Sequence, residues 1–504
     1  MMREPTIIPP LSEANLDLIP ARVAGPGFDI ARRRAGILHF GVGNFHRAHQ
    51  AVYLHKLFEM GRDHDWGIIG AGVLASEISH FDTLKAQDCL YTIVEQAADR
   101  SAARIVASLL DMIRPGDTQA IIAALARPEI RIVSLTITEG GYFIDAAGTG
   151  LDATHPDIVA DSRNPGAPKT VFGLIIAGLK VRRALGLPAF TIMSCDNIPG
   201  NGSATRNAVT GLARLFDAEL ADWIAGSVAF PNTMVDRITP ATGEPERARI
   251  RHDFGVGDSV PVFCEEFTQW VLEDDFPAGR PALEQVGVQF VSDVRPFERM
   301  KIGVLNGSHA MIAYPAALLG YTYIHEAIED PLIRGFVEKV QQTEVLPHLA
   351  PHRTDPAAYL QTILKRFSNP AIQDTVARVC FDGSSRQPKF VVPSILNCAA
   401  AGQRPAGLAL SCALWCRYCF GVDDAGRAIP PNDPKWGALN AAAAAAVNDP
   451  ASWIQSGIYG ELAGQETFSE LFAFWLGTLW SQGIRDTLSL YLTRIPQMNG
   501  ASDQ

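Results

Sequence analysis

A lysine, an asparagine and a histidine interrupt an otherwise apolar stretch, "MKIGVLNGSHAMIAYPAALLGY", which runs from Met300 to Tyr321. On a helix turning about 100° per residue, Asn306 lies roughly 140° and His309 roughly 80° around from Lys301, over a rise of about 12 Å. Such a face can line an elongated ligand. A lysine amine, with a pKa of about 10.4 in water, becomes a base when burial or a neighbouring cation draws that value toward neutrality. A carboxamide donates hydrogen bonds to a developing alkoxide without bringing a competing charge. His309 suits the orientation of a second hydroxyl. Together these residue types fit oxidation of an alcohol, in which a base takes the hydroxyl proton while hydride leaves the carbon. Each residue alone also has an ordinary reading: a salt-bridged lysine, a helix-face asparagine, a hydrogen-bonded core histidine. Gly303 and Gly307 stand between them, and each costs about 1 kcal/mol in a helix interior, which is offset only where something comes close to the backbone.

A hydride acceptor needs its own site, and the sequence offers one near its start. "AGILHFGVG", residues 35 to 43, is an apolar run ending in glycines, the pattern of a buried parallel strand entering a tight turn. A helical spacing of Ala48, Ala51, Leu54 and Phe58 follows, closed by Gly61 as a C-cap, and "WGIIGAGVL" reads as the next strand. Strand, glycine turn, helix, strand make a βαβ unit. In "HFGVGNFHRAH" Gly41 permits the sharp turn and Gly43 lets backbone amides approach a pyrophosphate at the helix N-terminus, where Asn44 and Phe45 follow. His46 stands where the dinucleotide fingerprint has its third glycine, a position that sets only the distance between helix and strand. Arg47 is expected to add charge to the phosphate. Glu77, just past the second strand, is placed either to accept the adenosine ribose hydroxyls or to serve as a helix-start carboxylate. In the first role it would repel a 2′-phosphate, so the expected cofactor is NAD.

Further strands are expected at "LYTIVEQ", "ARIVASL", "IRIVSLTIT", "AFTIMSCD" and "VGVQFVSDV", and a helix along "TVFGLIIAGLKVRRALG". Beyond Pro296 the pattern is helical nearly throughout, including the alanine run Ala441 to Ala446. A chain of 504 residues is too long for one core. The reading is an α/β first domain, 1–295, and a mainly helical second domain, 296–504, with no Gly/Ser-rich linker between them. A tight interface is therefore expected, and ligand sites favour such clefts.

Composition excludes several classes of partner. A net charge of -11 argues against nucleic acid, whose binding rests on clustered Lys and Arg; only "ARRRAG" at Ala31 to Gly36 forms a basic run. The N-terminal "MMREPTIIPPLSEANLDLIP" has no apolar targeting core, and no uninterrupted apolar stretch reaches the ~20 residues that span a bilayer, so the expectation is a cytoplasmic protein without a membrane partner. Eight cysteines in so long a chain make no disulfide framework. Cys412, Cys416 and Cys419 include one CxxC but lack a second pair, so packing in a helix is the expected role and no metal is expected. None of the ten tyrosines is followed four positions later by lysine, which removes the tyrosine–lysine pair of short-chain reductases. A metal-free base is what remains.

"VAFPNTMVDRITP", Val228 to Pro240, resembles the signature of the polyol-specific long-chain dehydrogenases, the mannitol dehydrogenase family. The resemblance extends in order through "GVGNFHRAH", "SLTITEGGYF", "SCDNIPGNG", the lysine helix and "DTVARVCFDGSSRQPKF". It implies an N-terminal Rossmann-type domain, a largely helical C-terminal domain and a metal-free active site in the cleft between them. Lys301 matches the family's general base in the pattern Lys-x4-Asn-x2-His. Asn197 and Asn306 match the pair that hold the substrate oxygen, while His309, Asp236, Arg378 and Arg386 match positions that contact polyol hydroxyls. Glu298 matches a carboxylate associated with proton exchange between lysine and solvent, and it also reads as a first-turn residue favouring the helix dipole. Two positions depart from the common forms: Gly140 replaces lysine in "TEKGY", and Arg386 replaces lysine in "DGSSK", keeping charge but changing hydrogen-bond geometry.

The resemblance therefore implies an NAD-dependent polyol 2-dehydrogenase that interconverts mannitol, arabinitol or sorbitol with its ketose. A hexuronate reductase acting on fructuronate or tagaturonate is the alternative within the family, and a non-catalytic NAD-sensing protein the alternative outside it. Family members of this length are often monomeric, which sets the expectation for assembly.

Overall fold

The computed structural model describes residues 8–145, 150–349 and 355–494. The chain divides between Arg295 and Pro296 into two compact units.

The first unit is built on a five-stranded parallel sheet: β1 (Ala35–Phe40), β2 (Gly67–Ala71), β3 (Leu109–Ile113), β4 (Ile132–Leu135) and β5 (Thr191–Ser194). The strands lie in the order β3-β2-β1-β4-β5. Every residue of β1, β2, β4 and β5 is buried, which is why these strands read as unbroken apolar runs rather than alternating ones. Leu38 and Phe40 enter the core on one face of the sheet and Ile37 the core on the other. Strand order reverses beside β1, so the loops after β1 and β4 diverge there, the place where such sheets bind ligands. The helix Val171–Ala184, capped by the Thr170 hydroxyl on Gly173 N, falls where the sequence places it.

Two smaller sheets complete this unit. One joins Val23–Ala24, Ser101–Val106, Tyr91–Gln96 and Val262–Glu265; the other joins Gln289–Val291, Gln269–Glu273 and Thr233–Asp236. The run "ARIVASL" is not one strand. Ser101–Val106 belongs to the four-stranded sheet, and Leu109 already opens β3 in the five-stranded one. Between them Ser108 turns its hydroxyl onto Ala51 O at 2.7 Å.

The described residues of the second unit are helical and form no strand pairing beyond isolated bridges. Two helices lie at its centre, Gly307–Leu319 and Ala406–Cys419, and the second is buried at every position. A helix apolar all round belongs inside a core. The helical run Arg295–Leu319 is long and apolar enough by composition to cross a membrane, yet most of it is buried within the protein. Cys412, Cys416 and Cys419 sit in the same interior, where burial pushes the Cys412 thiol up to about 12. All eight cysteines are free.

Candidate active site

The glycine turn leaves β1 with Gly41 at φ +89°, the left-handed region, and a Cβ there would collide with Thr136 O. Gly41 is thus required by the fold itself. Gly43 is not. Its φ is -90°, and a Cβ built on it would meet nothing nearer than Gly41 O at 4.0 Å, so neither strain nor a protein neighbour explains the glycine. The space over its backbone is open, and the helix Asn44–Ala48 begins there.

His46, in the place of the third glycine, stacks on His39 of β1 with ring centroids 3.4 Å apart and 17° between planes. His39 Nδ1 lies 2.8 Å from Ser134 Oγ and its Nε2 3.0 Å from Thr136 Oγ1, with Gly41 O at 3.2 Å. Burial lowers the His39 imidazole to about 3 and holds His46 well below its ordinary value. A neutral imidazole pair therefore fills the gap between helix and strand that a glycine would have closed. Sequence reasoning missed it.

Arg47 is placed otherwise than expected. It is buried, donating to Val260 O and, at 2.7 Å, to Asn44 Oδ1. Asn44 in turn donates to Thr242 Oγ1 at 3.1 Å, and Tyr91 donates to Arg47 O at 2.6 Å. These contacts turn the guanidinium inward, where it braces the helix start. Glu77 follows β2 and accepts from Val73 N at 3.2 Å and Leu74 N at 3.0 Å, both through Oε2. It is a helix-start carboxylate whose Oε1 takes no hydrogen bond among the described residues.

At the same edge of the sheet, the loop after β5 carries Asn197, which is exposed. Its neighbour Asp196 accepts from Ile137 N at 3.0 Å, Thr138 N at 2.8 Å and the Tyr142 hydroxyl at 2.7 Å, and so ties this loop to the one after β4. Burial raises the Asp196 carboxyl above its usual range. Asp236 ends the strand Thr233–Asp236 and is buried. The next residue, Arg237, donates to Ala48 O at 2.5 Å, Glu265 O at 2.8 Å and Glu95 Oε1 at 2.5 Å.

In the second unit Lys301 is 7% exposed and opens a π-helical turn, Lys301–Asn306, between the α-helices Arg295–Met300 and Gly307–Leu319. The regular 100° spacing of the sequence reading therefore does not hold across Lys301 to Asn306, where the wider turn resets the angles. Such turns recur at functional sites. Glu298 lies half-buried in the first turn of Arg295–Met300.

His309 is brought together with Asp374, Arg378 and Arg386. Its Nε2 stands 4.0 Å from Asp374 Oδ2, and its ring centroid 4.3 Å from that of Phe367. Arg378 grips Asp374 through two hydrogen bonds of 2.5 Å, while Arg386 donates to Val379 O at 2.7 Å. Burial pulls the His309 imidazole down to about 3; Asp374 opposes this, and the arginines, including Arg366, add to it. The Nε2 atom is buried without a hydrogen-bond partner among the described residues, an arrangement suited to an incoming hydroxyl. No group of three or more His, Cys, Asp or Glu side chains that could hold a metal ion occurs among the described residues.

The mannitol dehydrogenase Rossmann domain model matches residues 35–285, and the mannitol dehydrogenase C-terminal domain model matches residues 293–480. The chain belongs to the mannitol dehydrogenase family. A mannitol 2-dehydrogenase of Cereibacter sphaeroides is 52% identical over 93% of this chain and 99% of its own length, and one of Aspergillus fumigatus is 41% identical over 91% and 93%. Among solved structures, the Pseudomonas fluorescens mannitol 2-dehydrogenase, in ternary complex with NAD and D-mannitol, superposes with a TM-score of 0.88. It is 44% identical and covers 96% of this chain and 100% of its own. A substrate-free D-sorbitol dehydrogenase superposes with a TM-score of 0.87 at 34% identity, covering 95% and 100%. Arg237 is a structural anchor that no spacing argument could find, since its acceptors Ala48, Glu95 and Glu265 are scattered through the first unit.

Proposed function

We propose that the chain is a metal-independent polyol 2-dehydrogenase that interconverts mannitol, or a similar polyol such as arabinitol or sorbitol, with its ketose, with Lys301 as the general base. It is an oxidoreductase acting on CH–OH groups with NAD as cofactor. The observation that carries the finer reading is the likeness, at 44% identity over nearly the whole chain, to a mannitol 2-dehydrogenase holding NAD and D-mannitol.

The glycine turn fits the dinucleotide, because the space over Gly43 is left free by the protein itself. Gly41, Gly43 and the backbone of Asn44 and Phe45 would hold the pyrophosphate, Arg47 would keep that helix start in place, and Glu77 would receive the ribose through its free Oε1. NAD, when bound, accepts the hydride released from the substrate carbon. Lys301 takes the hydroxyl proton; a buried amine favours its neutral, proton-accepting form. Asn197 and Asn306 donate to the oxygen as it gains negative charge. Glu298 passes the proton from the ammonium to solvent. His309, Asp236, Arg378 and Arg386 hold the remaining hydroxyls, with Arg378 itself held by Asp374.

The test is NADH absorbance with mannitol, arabinitol and sorbitol in the presence of NAD, and with fructuronate in the presence of NADH, for wild type and Lys301→Ala. Turnover of at least one polyol is expected, with the variant slower by about 10²- to 10⁴-fold, NADH affinity near normal and partial recovery on adding a primary amine. Robust reduction of fructuronate with no polyol turnover would overturn the substrate, and near-wild-type activity of the variant would overturn the base.

A further inference from the structure

The turn that carries Lys301 is held from outside its own helix. In a π-turn each amide reaches one residue further back than in an α-helix, so a carbonyl at the transition loses its helical donor. Here Gln341 supplies it. Its side chain is fully buried, and its Nε2 donates to Gly303 O at 3.0 Å and Ser308 Oγ at 3.0 Å, with Val304 O at 3.5 Å. The amide cannot be reversed, because two of these three neighbours are carbonyls that only the NH2 end can meet. At the other end Oε1 is buried with no hydrogen-bond partner among the described residues. An apolar side chain of equal size would remove that unsatisfied oxygen but strip Gly303 O of its donor, so the glutamine trades one unpaired buried atom for a held turn.

Gln341 also opens a second π-turn, Gln341–Val345, which lies against the glycine face of the first. A Cβ on Gly303 would stand 3.2 Å from Val345 Cγ1, and one on Gly307 3.7 Å from Gln341 Nε2. Gly303 therefore admits this segment, whereas a Cβ on Gly307 would sit at ordinary contact distance.

We propose that Gln341 is a positioning residue for the proton transfer: by donating to the carbonyls of the π-turn it keeps that turn wide, and so fixes where Lys301 points relative to Asn306 and His309. The inference rests on the reading of Lys301 as the base. Relaxation of the turn to an α-helical register would rotate Lys301 by about 100° against the residues that follow. A far smaller displacement, about 1 Å, already costs roughly 10²-fold in rate.

Two variants test this in the full chain. Gln341→Met keeps the volume and loses the donors. Its kcat per folded molecule should fall by about ten-fold or more with NADH affinity unchanged, and the apparent pKa of its pH–kcat profile should move, because the amine has changed surroundings. Gln341→Glu keeps the shape and can donate to Gly303 O only while protonated, so its kcat should show an added loss as pH rises, absent from wild type. A Gln341→Met profile that superposes on wild type, with kcat within about two-fold, overturns the proposal. Should that variant not fold, a Gln341→Glu profile matching wild type overturns it instead. Lys301→Ala is measured alongside: near-normal activity there sinks the lysine reading itself, whereas an inactive Lys301→Ala beside an unaffected Gln341→Met sinks only the positioning role.

Discussion

At the scale of the residue, the first unit depends on arginines that the surface never sees. Arg237 is 5% exposed and serves three separate acceptors, among them Ala48 O at the end of the helix that follows the glycine turn. A planar fork can meet Ala48 O, Glu265 O and Glu95 together; an ammonium on a flexible stem cannot. Arg237→Lys should therefore leave buried acceptors unpaired and lower the stability of the first unit by about 2–4 kcal/mol. It should also weaken NADH binding, since the helix held through Ala48 begins at Gly43. Urea unfolding together with NADH fluorescence titration checks both, and a variant with wild-type stability would show that the fork is dispensable. Arg47 teaches the same lesson. Its position one residue past the third fingerprint site suggests a phosphate cation, but Asn44 and Val260 O draw it inward, and nothing local in "NFHRAH" announces Val260.

At the scale of the element, the legible parts are those whose burial is uniform. β1, β4 and β5 were readable because both faces are covered and every residue but His39 is apolar or small. The strands Thr233–Asp236, Gln269–Glu273 and Leu109–Ile113 were not, being short or continuous with a neighbour in another sheet. The lysine helix was readable as a helix, while its π-turn was not, because the turn depends on Gln341, far along the chain. That second turn has a titratable group of its own. Glu344 accepts from Gly407 N at 2.7 Å and Leu408 N at 2.9 Å, and burial nevertheless pushes its carboxyl up to about 7. A folded value raised above the ordinary 4.5 means that, between the two, the native state holds a proton the unfolded chain has released. The contribution of Glu344 to stability is therefore most favourable below pH 4.5 and is lost as pH rises toward 7, by ~3 kcal/mol at about 1.4 kcal/mol per unit. His309 in the same unit runs the opposite way, since its depressed value makes acid destabilising between pH 6.5 and about 3. The difference between wild type and Glu344→Gln isolates the carboxyl. Urea midpoints of the two should diverge between pH 5 and 7.5, with wild type losing ground, and parallel curves would show that Glu344 titrates normally.

At the scale of the whole molecule, the family models cover both units, and the proposed labour divides between them: the cofactor residues Gly41 to Arg47 and Glu77 lie before Arg295, Lys301 and His309 after it. Each unit has its own core, so ligand binding need not stabilise both equally. A ligand that binds only the native state adds RT ln(1 + [L]/Kd), about 2.7 kcal/mol at a hundred-fold excess over Kd. Amides that exchange by unfolding of the cofactor-binding unit should then slow by about 100-fold with NADH. Hydrogen exchange resolved by peptide can read this directly. Protection is expected over β1 and the glycine turn, over the ends of β4 and β5, and across the parallel sheet, at least as large as any gained by the helices Gly307–Leu319 and Ala406–Cys419. NADPH at the same concentration should protect less, because its 2′-phosphate meets the Glu77 carboxylate. Equal protection by both nucleotides would remove Glu77 from the ribose, and protection confined to the helical unit would remove the glycine turn from the cofactor altogether.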